Sequence, residues 1–301
     1  MNYPAINECH IGFVGAGTMA YAMASGFVSS GAVKASQLSV SAPSNRNLKR
    51  FEALGCHVTN NNNDLFSHLS APMRHKTLKI IFLCVKPLVF KQPVLDMNAY
   101  AKEPAVLVVS VMAGVNLETI VRRLEVDPAD CTRNPDKGQI FVARIMPNTA
   151  CAVNAGVCGV SYVTTGARDY SQRLKAFLSV LLTPLGVCEF VDEKQMDAVC
   201  GLSGSGIAFV YTLIHAMADG GLKMGLPRTV ATNIAAQTVL GAALMVQKTG
   251  QNPIALRDDV ASPGGTTIHG LHALAKGGFD AVVMDAVESA TKRSQEFSQP
   301  Y

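Results

Sequence analysis

The chain has 301 residues, a formal net charge of +4 and no tryptophan, and 49% of it is hydrophobic. Its length predicts about two domains, and its scattered basic residues lack the clustered stripe that nucleic-acid-binding proteins carry. The eight cysteines form no C-x-x-C pair, which predicts a reduced chain without a metal site or a disulfide framework. Its apolar runs are shorter than the ~20 residues that span a membrane, and its first ten residues carry no targeting pattern. We therefore expect a cytoplasmic protein that binds neither nucleic acid nor membrane.

A glycine-rich turn follows the first apolar strand, which covers residues 11–14. The turn reads Gly15-Ala16-Gly17-Thr18-Met19-Ala20, the G-x-G-x-x-A form of the dinucleotide fingerprint. Gly15 would make the tight turn, Gly17 would let the backbone approach a pyrophosphate, and Ala20 would let the next helix pack against its strand. The alternative is a helix that packs closely by coincidence.

The segment after the second predicted strand bears on the choice of nucleotide. An NAD-selective site places Asp or Glu at the end of this strand to hold the ribose 2′-hydroxyl. Residues 41–46 read Ser-Ala-Pro-Ser-Asn-Arg instead, and hydroxyls, an amide and a guanidinium suit a 2′-phosphate. NADP(H) is therefore favoured, with NAD(H) as the alternative, unless these are simply solvated turn residues. The polar tract at residues 60–63 either contacts the adenosine or forms a loop.

Two nearly continuous apolar runs, residues 78–85 and 105–111, are typical of central parallel strands that are covered on both faces. In an open α/β sheet, ligands bind beyond the carboxyl ends of such strands. The residues just after these runs are therefore placed to face a cofactor, and Lys86 is among them. For Lys86 the alternative is an ordinary surface lysine.

The alternation of strands and helices ends near Gly166. We predict a dinucleotide-binding domain of Rossmann type with a doubly wound sheet over residues 9–166, and an all-helical domain over residues 167–301. The helical part is rich in apolar residues, chiefly in long helices predicted over residues 195–223 and 228–248. One small helical domain cannot bury so much apolar surface, so we expect it to form a dimer.

A second turn, near the C-terminus, contains a proline followed by two glycines, Pro263-Gly264-Gly265, between short hydroxyl side chains. A helix is predicted to start here, and the free N–H groups of a helix start suit a carboxylate. The alternative is a simple turn that caps the helix. His269 and His272 lie three residues apart but have no carboxylate or cysteine at ligand spacing, so we predict no metal site.

These motifs, in this order, resemble the pyrroline-5-carboxylate reductase family over roughly residues 9–296. The resemblance rests on the glycine-rich turn, on Cys84-Val85-Lys86-Pro87, on residues 144–149, 201–206 and 218–221, and most specifically on Ser262-Pro263-Gly264-Gly265-Thr266-Thr267. Two residues depart from the family pattern, because Ile207 replaces a usual proline and Phe209 a usual tyrosine.

The resemblance implies NAD(P)H-dependent reduction of L-1-pyrroline-5-carboxylate to L-proline, the last step of proline biosynthesis. It implies a C-terminal domain that interlocks with its copy in a homodimer, and often a ring of dimers such as a decamer. The cofactor would be lined by Val14, Gly15, Ala16, Gly17, Thr18, Met19, Ser41, Ala42, Asn62, Cys84, Val85, Lys86, Pro87, Val111, Met112 and Ala113. The substrate would be held by Ser262, Gly264, Gly265, Thr266 and Thr267.

The expected chemistry needs little beyond positioning, since the cofactor supplies the hydride for the C=N carbon. Thr267 is the predicted catalytic residue, because its hydroxyl can hydrogen-bond the ring nitrogen. Two rival functions remain open. A β-hydroxyacid dehydrogenase would carry a catalytic lysine on the first long helix of its second domain, and residues 204–216 contain none. A non-catalytic NADP-sensing protein would not need the second turn.

Overall fold

The computed structural model describes residues 5–69, 78–91, 105–126, 139–163 and 168–298. The chain divides into two compact units, one of Met1–Gly204 with Ala290–Tyr301 and one of Ser205–Ser289. The predicted domain boundary between residues 166 and 167 lies outside the described residues. Residues 168–204 belong to the compact unit that contains the sheet, and not to the second, helical unit.

The first unit is built on one eight-stranded sheet in the order β3-β2-β1-β4-β5-β6-β7-β8. Neighbouring strands are parallel except for β6 and β7, which are antiparallel. The order of the first six strands is that of a Rossmann domain, as predicted. The strands are His10–Val14 (β1), Leu38–Ser41 (β2), His57–Thr59 (β3), Lys79–Leu83 (β4), Ala105–Ser110 (β5), Gln139–Pro147 (β6), Gly156–Tyr162 (β7) and Gly186–Phe190 (β8).

Helices cover both faces of this sheet, which confirms the doubly wound arrangement. Alternate residues of a strand point to opposite faces, and Phe82 and Ile81 of β4 accordingly belong to separate buried clusters. On the first face the rings of Phe13 and Phe82 stack with their centroids 5.1 Å apart. The helices of this unit are Thr18–Ser29 (α1), Leu48–Ala53 (α2), Asn62–Leu69 (α3), Leu117–Arg123 (α4), Arg168–Leu182 (α5) and Met196–Val199 (α6).

The long helix predicted over residues 195–223 is present, and its geometry changes within it at the glycine run. A π-helical turn, Cys200–Ser205, separates α6 from the next helix. Glycine is a poor α-helix former, and this turn contains two of them, so the regular hydrogen-bond pattern is broken where they cluster. The remaining helices are Gly206–Lys223 (α7), Arg228–Thr249 (α8), Pro253–Val260 (α9), Thr266–Lys276 (α10) and Phe279–Ser298 (α11).

The helical unit leaves most of its apolar surface uncovered in the single chain. Among its described residues the buried cluster consists of Ala218, Ala231 and Ala235, whereas Ile234 is 52% and Met284 69% exposed. Two stretches, Glu193–Lys223 and Arg228–Thr249, are long and apolar enough to cross a membrane by length and composition, which the apolar runs of the sequence did not predict. In the single chain 6% and 11% of their most apolar windows are buried. Apolar surface of this extent marks an interaction site.

Candidate active site

The carboxyl ends of β1, β2, β4 and β5 lie side by side and bring the predicted cofactor residues of the first unit together. The Gly15 N–H donates to the Ser41 carbonyl at 2.8 Å, and the Cys84 N–H donates to the Val14 carbonyl at 2.8 Å. The Val111 N–H donates to the Leu83 carbonyl at 3.1 Å. The loops that follow these four strands therefore form one continuous edge, called here the cofactor cradle.

Gly15 is required by the protein itself. Its φ is +105°, and a Cβ placed there would lie 2.6 Å from the Cys84 carbonyl oxygen. Any side chain would thus be strained and would collide with the backbone of β4's end. The structure contains the tight turn that the sequence predicts at Gly15.

At position 17, neither the backbone conformation nor the packing of the described residues requires glycine. This contrast with Gly15 indicates that the space above Gly17 is kept for a ligand. The Gly17 backbone is extended, with φ −73°, and a Cβ there would meet only the Cys84 carbonyl oxygen, at 3.9 Å, within the described part of the chain. Gly17 is also the N-cap of α1, where no side chain among the described residues accepts from the first-turn N–H groups. A helix start with free N–H groups and space above its glycine fits a pyrophosphate.

Arg50 of α2 supports this turn and was missed by the sequence analysis. Its Nη2 donates to the Ala16 carbonyl at 2.8 Å, and its guanidinium lies over the Tyr21 ring at 4.7 Å. The contact joins a side chain to a backbone carbonyl 34 positions earlier. Every residue has a backbone carbonyl, so a pattern of residue types could not have indicated this contact.

The residues at the ends of β2 and β3 form the side of the cradle where the sequence predicts the ribose of the cofactor. Ser41 is buried, and its hydroxyl donates to Asn62 Oδ1 at 2.7 Å. The Asn60 side-chain amide donates to the Ala42 carbonyl at 3.1 Å. Ser41 therefore orients Asn62, which is the first residue of α3 rather than part of a loop, while residues 43–47 are exposed.

The segment after β4 presents backbone and apolar groups. Burial raises the pKa of the Cys84 thiol, so the thiol is protonated at neutral pH and is suited to packing rather than to nucleophilic chemistry. Val85 is half-buried, and Lys86 and Pro87 are exposed. The Lys86 carbonyl accepts from the Val89 N–H at 2.9 Å and thereby shapes the turn.

The loop after β5, residues 111–116, is the last part of the cradle and is called here the β5–α4 loop. It carries Val111, Met112 and Ala113, and Ser110 Oγ accepts from the Met112 N–H at 3.3 Å. At the far end the Leu117 N–H donates to Glu193 Oε1 at 3.0 Å. The carboxylate of half-buried Glu193 also pairs with Nη1 of buried Arg144 at 2.8 Å, and this pair was likewise missed from the sequence.

The second predicted turn lies in the helical unit and has the geometry of a helix start, as expected. Gly264 has φ +66°, the Gly265 N–H donates to the Ser262 carbonyl at 3.0 Å, and Gly265 is the N-cap of α10. A Cβ on Gly265 would lie 2.3 Å from Ser262 Oγ. Gly264 is therefore favoured by its positive φ, whereas a side chain at position 265 would have to displace the Ser262 hydroxyl. The turn sets Thr266 and Thr267 in the first turn of α10.

The first turn of α10 offers groups that suit a carboxylate. Gly265 gives no side-chain cap to the N–H groups, and none is supplied by another described residue. Thr267 is half-buried in the single chain. His269 Nδ1 lies 3.0 Å from the Gly265 carbonyl, so this imidazole is engaged by its own helix start.

Comparisons with known proteins cover both units. Residues 10–114 match the family model described as NADP oxidoreductase coenzyme F420-dependent, and residues 193–297 match the one described as Pyrroline-5-carboxylate reductase dimerisation. The chain is 40% identical over 293 residues to pyrroline-5-carboxylate reductase 3 of Danio rerio, covering 97% of this chain and 93% of that one. It is 40% identical over 290 residues to pyrroline-5-carboxylate reductase of Arabidopsis thaliana, covering 96% and 95%.

A solved structure agrees with these relatives. The pyrroline carboxylate reductase of Plasmodium falciparum, crystallised with NADP bound, is 28% identical and superposes with a TM-score of 0.76, covering 96% of this chain and 98% of that one. Together with the family model over residues 10–114 and these relatives, the Rossmann sheet and its glycine-rich turn place the chain among the NAD(P)-dependent oxidoreductases. Sequence identity of 40% over nearly the whole length of its relatives then shows the family. The chain belongs to the pyrroline-5-carboxylate reductase family.

Proposed function

We propose that this protein reduces the C=N bond of L-1-pyrroline-5-carboxylate to give L-proline, using NADPH as the hydride donor. The observation that carries the proposal is the presence, in one member of this family, of two separate helix starts that begin at a glycine and have no side-chain cap. The α1 start is open above Gly17 for a pyrophosphate, and the α10 start follows the Ser262–Gly265 turn. One suits the nucleotide and the other a small carboxylate.

The groups at the start of α10 match those that the substrate requires. Pyrroline-5-carboxylate is a five-membered cyclic imine with a carboxylate, and the N–H groups of Thr266 and Thr267 would hold that carboxylate. The Thr267 hydroxyl would hydrogen-bond the ring nitrogen and keep the C=N carbon in one orientation. When bound, NADPH supplies the hydride. The C=N carbon would accept the hydride and the ring nitrogen a proton from solvent, which gives the secondary amine. The Thr267 hydroxyl would stay hydrogen-bonded to this nitrogen, so catalysis is mainly positioning.

The nucleotide preference follows from the exposed turn after β2. Residues 41–47 contain no carboxylate that would repel a 2′-phosphate, and the Plasmodium falciparum relative was solved with NADP. We infer NADP(H) as the cofactor, with NAD(H) bound more weakly.

A charge placed in that turn should reverse the preference. We expect Ser44→Asp to raise KM for NADPH roughly tenfold with little effect on NADH, because like charges near a protein surface repel by about 1–4 kcal/mol at 4 Å. Steady-state kinetics with each nucleotide test this. The same change at exposed Ser67 on α3 is the control, and an equal loss for NADPH and NADH at position 44 would contradict a 2′-phosphate contact.

The helical region matches a dimerisation family, and we propose that the protein is a homodimer or a ring of dimers such as a decamer. The exposed apolar faces of α7 and α8 support this, because a second copy would cover them. We propose further that it works in the cytoplasm on a small-molecule substrate, with neither nucleic acid nor membrane as a partner.

Charge on the uncovered apolar face should separate the subunits. Ile234→Lys places an ammonium at a residue that is 52% exposed in the single chain, and burying it in a dimer interface would cost on the order of 2 kcal/mol or more. Light scattering coupled to gel filtration should report monomers. Val180→Lys, at a residue of α5 that is 59% exposed, is the matched control and should stay assembled. A monomeric wild type would contradict the proposal.

One assay tests the proposed activity. NADPH absorbance should fall when pyrroline-5-carboxylate is added, with stoichiometric L-proline formed. A β-hydroxyacid dehydrogenase would instead oxidise a hydroxyacid with NADP⁺, and Gly206–Lys223 offers it no lysine before its last residue. A protein that binds NADPH but never consumes it would be a sensor, and the proposal would fail.

A further inference from the structure

The β5–α4 loop is held at three points by residues that lie far from it in the chain or at its edges. Ser110 Oγ accepts from the Met112 N–H, and Glu193 Oε1 accepts from the Leu117 N–H at 3.0 Å. Between these points, Gly114 has φ +71°, and a Cβ there would lie 2.6 Å from Phe297 Cβ. The loop that carries Val111 to Ala113 is thus held by a hydrogen bond at its start, by a close approach to Phe297 in its middle and by a hydrogen bond at its end.

The anchor at Glu193 depends on a buried arginine. Arg144 of β6 is 2% exposed, and its Nη1 pairs with the same Glu193 Oε1 that accepts from Leu117. Its Nη2 lies 3.9 Å from Asp197 Oδ1, which in turn accepts from the Ser294 hydroxyl at 2.7 Å. Glu193 is 30% exposed, so the cost of desolvation falls mainly on the arginine, and such a pair is weak evidence for a contribution to stability alone. Its better-supported use is to hold its partners in one arrangement.

We propose that Glu193 is a positioning residue for the nucleotide, acting with Arg144 to fix the β5–α4 loop in the form that receives the cofactor. The inference rests on the proposed function, because it takes Val111, Met112 and Ala113 as cofactor residues. These follow β5, on the opposite side of β1 from the ribose residues at the end of β2. In a Rossmann domain that side receives the second half of the dinucleotide.

The Glu193→Gln variant separates positioning from packing. Glutamine keeps an oxygen for the Leu117 N–H but removes the charge that holds it against Arg144. We expect KM and Kd for NADPH to rise roughly 3- to 30-fold, with kcat at saturating NADPH changed less than about twofold, because bound nucleotide reorders the loop. The matched control is Glu189→Gln, the same change at an exposed carboxylate of β8, which should leave all three constants unchanged.

A second variant addresses stability, since Glu193→Gln removes the nearer of the two counter-charges of the buried Arg144 guanidinium and leaves Asp197 Oδ1 at 3.9 Å. The double variant Arg144→Met with Glu193→Gln removes the guanidinium charge as well, so its melting temperature should recover relative to the single variant. If the pair positions the loop, KM for NADPH stays raised in the double variant. If KM recovers together with the melting temperature, or if Glu193→Gln binds NADPH like wild type, the proposal is overturned. Wild type assayed alongside must bind and consume NADPH; its failure would count against the proposed function instead.

Discussion

A single methyl group at Gly17 should abolish most NADPH binding while leaving the fold intact. A Cβ at this position meets only the Cys84 carbonyl oxygen, 3.9 Å away, among the described residues, and the extended backbone there suits any residue. The added carbon would instead occupy the space where a pyrophosphate approaches the α1 start. Overpacking of this kind costs about 1–3 kcal/mol, so we expect Gly17→Ala to weaken NADPH binding roughly 10- to 100-fold.

The measurement for this first prediction is NADPH affinity together with thermal unfolding. Alanine is a poorer N-cap than glycine, so a loss of up to ~1 kcal/mol of stability, or a few degrees, is expected. Gly15→Ala is the contrasting variant, because its φ of +105° and its contact of 2.6 Å with the Cys84 carbonyl should destabilise the folded protein itself. If Gly17→Ala keeps wild-type affinity for NADPH, the pyrophosphate does not lie on this turn.

The second large effect is expected at Thr267. Removal of its hydroxyl takes away the hydrogen bond to the ring nitrogen, and loss of one such preorganised partner typically lowers turnover about 10²- to 10³-fold. We therefore expect Thr267→Ala to lower kcat by roughly 100-fold, while Kd for NADPH stays at the wild-type value, since Thr267 belongs to the second turn and not to the cradle.

The conservative variant separates the hydroxyl from the shape of the turn. Thr267→Ser keeps the oxygen and should retain most of the activity. Both variants should unfold at nearly the wild-type temperature, because Thr267 is only half-buried in the single chain. If Thr267→Ala keeps the wild-type kcat, Thr267 has no role in the proposed mechanism.

Much of the first unit could be predicted because its signals are local. The apolar runs that became β4 and β5 are covered on both faces, and continuous hydrophobicity is the pattern that such strands require. The G-x-G-x-x-A turn is equally local, since Gly15 is dictated by a φ of +105° within one turn. The start of α10 could be predicted for the same reason, from two glycines before Thr266.

The features that were missed depend on contacts between distant positions. The pair of Arg144 and Glu193 joins residues 49 positions apart, and Arg50 acts through a backbone carbonyl. β8 is only five residues long, with exposure that changes at every residue, so its pairing with β7 has no continuous apolar run to reveal it. The π turn at Cys200–Ser205 lies within the predicted helix at its glycine run, but composition alone does not distinguish a π turn from close helix packing.

The central claim is that one chain carries both a nucleotide cradle and an acid-binding turn for a single hydride transfer. The most direct test supplies NADPH labelled with deuterium at the transferable C4 position, together with unlabelled pyrroline-5-carboxylate, and analyses the product by mass spectrometry and NMR. We predict one deuterium at C5 of L-proline for each NADPH consumed. Proline without deuterium, or NADPH oxidation without proline, would contradict the account.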